Sequence, residues 1–155
     1  MLKTAATVAL LSQMVLVAEG TATRYNPGVM DSAVANRLMY GQITRQQLAR
    51  AQGFIALRDC KYIGRFAWLE WPNEHISGPH LVVDCAAEKD YPRLDFLNFA
   101  VDVSYSLAEQ NFPNVDMPVR GVKVYIEAKG ENHARDFERS IGHVSLPDNA
   151  VHAAY

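Results

Sequence analysis

At 155 residues the chain is sized for one domain with a core of its own. A net charge of −2 excludes the basic footprint that nucleic acid or an anionic membrane surface requires. Two cysteines, with no further ligands at short spacing, exclude a cysteine-based metal site.

In chain order, residues 1–20 have the layout of a secretory leader: Lys3, then an apolar run from Thr4 to Ala18 broken only by Ser12 and Gln13. The small residues Ala18 and Gly20 predict cleavage after one or the other, and a buried N-terminal helix is the alternative. The run is too short for a comfortable membrane span, and no later stretch reaches the ~18 apolar residues of one. Alternation and β-branching predict a strand over Thr21–Tyr25, ended by the turn Asn26-Pro27-Gly28. Ser32 to Tyr40 reads as a loose helix. Thr44-Arg45-Gln46-Gln47 has capping-box spacing and opens a short helix through Ala51, stopped by Gly53. Strands follow over Phe54–Leu57 and Arg65–Trp71, with a turn at Ile63-Gly64, then a polar loop from Pro72 to Pro79 and a strand over His80–Ala86. Glu88 to Asn98 reads as an irregular connection and Phe99–Val103 as the fifth strand. Ser104 is a natural N-cap for a helix through Asn111, with Pro113 as breaker, and Val119–Ala128 alternates as the sixth strand. Residues 129–155 read as a polar tail, with one short helix at 133–140 as an option. The expected domain therefore spans 21–128.

The chemistry-bearing positions cluster at strand ends. Asp84 closes the run Leu81-Val82-Val83, and Asp102 sits in Phe99-Ala100-Val101-Asp102-Val103. A carboxylate at such a place loses hydration and needs a partner or a proton. Two of them converging from separate strands match the paired carboxylates of glycosidic acid–base chemistry. The plainer alternative is that each caps the turn or helix that follows. Trp71, beside the polar loop, and Tyr25, at its turn, are candidate sugar-stacking platforms, as is Tyr62, whereas alternation turns Trp68 inward. His75 and His80 are isolated histidines of the kind that is usually only solvated. No metal or other cofactor is expected. Cys60 and Cys85 each follow an apolar run, so one disulfide is expected, with two buried thiols as the alternative.

Six short strands without βαβ alternation indicate a small all-β barrel with short helices. Several segments resemble a known group. Gly20-Thr21-Ala22-Thr23-Arg24-Tyr25 resembles the G-x-A-T-x-Y opening of expansin-like double-psi β-barrels. Val82-Val83-Asp84-Cys85 is similar to one of their strands, and Val101-Asp102-Val103-Ser104 with Ala108-Glu109 resembles their D-L-S-x-x-A helix opening, with Val103 in place of Leu. Tyr25-Asn26-Pro27-Gly28, Asp59-Cys60 and Ile63-Gly64 are similar to a single-domain branch of the rare lipoprotein A-like proteins. The resemblance spans about residues 20–128. It implies a six-stranded double-psi β-barrel with a polysaccharide groove lined by Thr23, Asp84 and Asp102. Lytic transglycosylase-like relatives add a His to their acid, and no residue here matches it. A second carbohydrate-binding domain, present in expansins, is not expected.

Two functions are consistent with these residues. One is a secreted, monomeric, wall-active protein that binds cell-wall polysaccharide through Asp84 and Asp102, with Thr23, Tyr25 and Trp71 holding the chain, and that loosens or weakly cleaves it. The other is a non-catalytic secreted interaction module, such as a protease inhibitor, a toxin-like protein or an effector.

Overall fold

Along Val119–Glu127 every second residue from Val122 onward is apolar, and Val122, Val124 and Ile126 are all buried while Lys123, Tyr125 and Glu127 stay partly exposed. That is a strand with one face on a core and one toward solvent. The computed structural model describes residues 13–111 and 118–128, and six such strands close into a barrel. They are β1 (Met14–Arg24), β2 (Gly53–Leu57), β3 (Phe66–Glu70), β4 (Ile76–Cys85), β5 (Phe99–Val103) and β6 (Val119–Glu127), in the ring order β1-β5-β2-β4-β3-β6. The β1–β5 and β2–β4 pairs are parallel and the other four are antiparallel. The all-β fold with short helices is the one expected.

Two apolar clusters divide the sheet's faces. One draws on every strand, with Ala22, Ile55, Leu69, Val82, Val101 and Val124 among its members, and so fills the barrel's interior. Leu107 and Ala108 of the helix α4 (Tyr105–Asn111) plug this core. The second cluster, including Ala56, Phe66, Trp68, Leu81 and Val83, lies on the outer face of β2, β3 and β4. It is covered by two helices: α1 (Val29–Met39), which contributes Met30, Ala33, Val34 and Leu38, and α2 (Arg45–Arg50), which contributes Leu48. The expected capping box at the start of α2 is formed: the Thr44 hydroxyl accepts from Gln47 N at 3.2 Å, and Gln47 Oε1 accepts from Thr44 N at 2.8 Å.

Three boundaries differ from expectation. The residues Glu88 to Asn98 are ordered, as a 3₁₀ turn (Glu88–Asp90) followed by α3 (Tyr91–Leu97). Pro92 falls in the first helical turn, where its missing N–H costs nothing, and Asn98 closes the helix in the left-handed region at φ 49°. Strand β4 begins at Ile76 and carries Gly78 and Pro79 inside it, so the polar loop is confined to residues 71–75. Strand β1 begins at Met14: residues Met14 to Gly20, read as the end of a leader, pair antiparallel with Glu127 to Val122 of β6. Residues 1–12 and the expected tail from 129, with its optional helix, lie outside the described residues. Cys60 and Cys85 are joined by a disulfide, with Cα atoms 5.0 Å apart, tying the turn after β2 to the end of β4.

Candidate functional site

Four neighbouring strands carry one row of side chains across the barrel's outer face. Thr23 of β1 stands opposite Asp102 of β5, Asp102 opposite Ala56 of β2, and Ala56 opposite Asp84 of β4. Simple alternation would turn Asp84 inward, because Val83 already faces outward. The pairing slips here, however: Ile55 pairs with Val82 but Ala56 pairs with Asp84, leaving Val83 as an extra residue. Such a bulge re-aims the side chain that follows it, and Asp84 joins Ala56 on the outer side. Two strand spacings of about 4.8 Å put the backbones of the two aspartates about 10 Å apart.

Asp84 is fully engaged. Its Oδ2 accepts a hydrogen bond from the Tyr25 hydroxyl at 2.9 Å, and its Oδ1 accepts from Arg37 Nη2 at 3.1 Å. The guanidinium is itself fixed, because Nε donates to the Val83 carbonyl at 3.1 Å and Nη1 to Gln42 Oε1 at 2.8 Å. These bonds run to α1 and to β1's end, not to the turn after β4, so Asp84 is no turn cap. Burial, and then the adjacent Asp84 carboxylate, push the Tyr25 hydroxyl well above the usual tyrosine value.

Asp102 is in the opposite condition. Burial pushes its carboxyl up to about 6; a Thr23 hydrogen bond and the Arg93 charge pull down, and the Asp84 charge pushes up. Its Oδ1 is buried with no hydrogen-bond partner among the described residues. An ionised oxygen left in that position is costly, which is the physical source of the raised value. Ser104 does stand immediately before α4 and its carbonyl accepts from Ala108 N at 3.1 Å, but among the described residues its buried hydroxyl has no partner and makes no capping bond.

The aromatic candidates divide. Tyr25 belongs to the row through Asp84. Trp71 does not: it is 1% exposed, packs in the barrel interior and donates from Nε1 to Ser77 Oγ at 2.8 Å. No ring face is left for a sugar there, which corrects its reading as a platform. The position follows from the loop's shortness, since Trp71 N bonds the His75 carbonyl and closes a tight connection over the core. Tyr62 packs partly against the interior, and Trp68 is buried in the outer cluster. His75 is exposed, whereas His80 is interior, 1% exposed, bonded through Nε2 to Ser77 Oγ at 2.8 Å and lowered by burial to about 3. Among the described residues no group of three His, Cys, Asp or Glu side chains could hold a metal ion. No described helix is long and apolar enough to cross a membrane.

Sequence reasoning missed Arg37, Gln42 and Arg93. Nothing local marks them, since Arg37 meets Asp84 across 47 residues of chain. A depression of about 390 Å³ lies beside the row, lined by Val29, Ala33, Asn36, Arg37, Tyr40 and Asp84. Thr23 and Asp102 do not line it. A second hollow, of about 350 Å³, is bordered by Gly20, Phe96, Asn98 and Arg120, with neither aspartate in it. No protein-family model matches the chain, and no curated protein or solved structure is detectably similar to it.

Proposed function

We propose that the chain is a secreted, expansin-like protein of the double-psi type that binds cell-wall polysaccharide along the row Thr23, Asp102 and Asp84. The observation that carries this reading is the row itself: the residues named by the motif resemblance fall in register on one face of a six-stranded barrel with two parallel strand pairs. The disulfide between Cys60 and Cys85 supports an oxidising destination.

Binding and loosening fit the chemistry better than cleavage. A glycosidase needs one carboxyl to deliver a proton and a second to act as base or nucleophile. Asp102, with its proton held to about pH 6, is suited to the first role. Asp84 has both oxygens committed to Tyr25 and Arg37, which leaves it poorly placed for the second. The reading therefore makes Asp84 a fixed polar anchor and Asp102 the group that meets a sugar hydroxyl or glycosidic oxygen. The non-catalytic interaction module is the second reading. It is favoured by the depression that takes in Asp84 and leaves out Asp102.

The test is a pull-down on cellulose, chitin and peptidoglycan with the wild type, Asp102→Asn, Asp84→Asn and the double variant. Loss of binding or loosening in each single variant is the expected result, with the thermal midpoint undiminished in Asp102→Asn and modestly lowered in Asp84→Asn, which gives up its ion pair with Arg37. Full binding and activity in the double variant would end the wall-active reading and leave the interaction module.

A further inference from the structure

We infer that Tyr40 is the stacking residue of this site and that the depression beside Asp84 takes one ring of a neutral glycan; the inference rests on the polysaccharide reading above. Three observations converge on it. First, Tyr40 is 72% exposed and borders the same depression as Asp84 and Arg37. A lone exposed aromatic is ordinary on a protein surface; one at the rim of a concave site with fixed polar groups is the layout of a ligand pocket.

Second, the backbone beneath the ring is pinned. Tyr40 is the last residue of α1's closing turn, and Gly41 follows at φ 68°. Gln42 N bonds the Arg37 carbonyl at 2.9 Å and Gly41 N bonds the Leu38 carbonyl at 3.1 Å, the pair of bonds that defines a Schellman ending. The same turn brings Gln42 Oε1 to Arg37, so the aromatic ring and the guanidinium are positioned by one piece of backbone. A stacking ring set on a fixed turn loses little freedom when a ligand arrives.

Third, the local charges are paired. The ion pair between Arg37 and Asp84, at 3.1 Å, leaves no net charge in the depression for an anionic ligand to pair with. A pyranose offers what remains: an apolar C–H face for the Tyr40 ring and hydroxyls for the Asn36 amide and the outer edge of the ion pair. The volume of about 390 Å³ lies at the lower end of the range for small-molecule sites, which is about 300–1,000 Å³.

The experiment titrates the full chain with cellohexaose, chitohexaose and an oligogalacturonate, and follows binding by calorimetry or NMR. The wild type is expected to bind a neutral oligosaccharide and the Tyr40→Ala variant to bind it at least about fivefold more weakly, with an unchanged thermal midpoint because the ring is exposed. Tyr40→Phe is expected to bind like the wild type, since stacking uses the ring and not the hydroxyl. Wild-type affinity retained in Tyr40→Ala overturns the stacking role while leaving the polysaccharide reading intact. Preference for the oligogalacturonate overturns the neutral-glycan assignment. A wild type that binds none of the three, nor any insoluble polysaccharide, overturns the reading and this inference together.

Discussion

A buried carboxyl and a buried imidazole give this molecule two opposed responses to acid. Asp102 holds its proton up to about pH 6 in the folded chain against 3.8 in the open one, so it contributes stability fully below pH 4 and loses that contribution as pH rises through 6. His80 stays neutral down to about 3 against 6.5, so its cost to the fold grows as pH falls from 6.5. Asp102→Asn removes only the first response. The variant should match the wild type at pH 4 and exceed it at pH 7, by up to about 3 kcal/mol, in urea unfolding followed across that range. A difference that does not vary with pH would mean that Asp102 titrates normally. The sequence disclosed both aspartates because a charge at the end of an apolar run is unusual on its face. It did not disclose their different conditions, since Arg37 and Tyr25 reach Asp84 only after folding. Trp71 departs from its expected role for a related reason. At the junction of strand and loop, periodicity gives no direction, and the indole's partner, Ser77, sits across a hairpin.

At the scale of elements, legibility tracked how local the cause was. The capping box at Thr44 is written in four adjacent residues and formed as expected. Thr44→Ala should lower stability by about 0.5–2 kcal/mol, and Thr44→Ser should restore most of it, by thermal or urea unfolding. Gly41 has open space where a side chain would go, so its constraint is conformational only. Gly41→Ala should therefore cost about 1 kcal/mol through its positive φ alone, with no packing defect. A much larger loss would mean that the helix ending is coupled to the core. By contrast, α3 and the start of β4 were hidden behind prolines. Pro92 lies in the stretch expected to be irregular but occupies the helix position that accepts proline, and Pro79 closes the expected polar loop but lies within a strand.

On the scale of the whole molecule, the ring of strands was predictable in number, while its order and parallel pairs were not, because register depends on contacts far apart in sequence. The Cys60–Cys85 bond closes a loop of 25 residues, worth about 3–4 kcal/mol on the chain-entropy account. Unfolding with and without reductant should differ by about that amount, and an unchanged midpoint would mean the loop is already restrained. The closing β1–β6 seam has a different consequence. A chain starting at Thr21 lacks the residues that pair with Val122 to Glu127, so it should melt at least about 5 °C below one starting at Gln13. Processing after Ala18 or Gly20 would act as the unbuttoning of that seam. The lip of β6 would be bared on one side while β3 still held the other, a ready acceptor for any extended chain nearby. N-terminal sequencing of the mature protein, read beside its sedimentation at rising concentration, would show whether maturation also makes the barrel sticky.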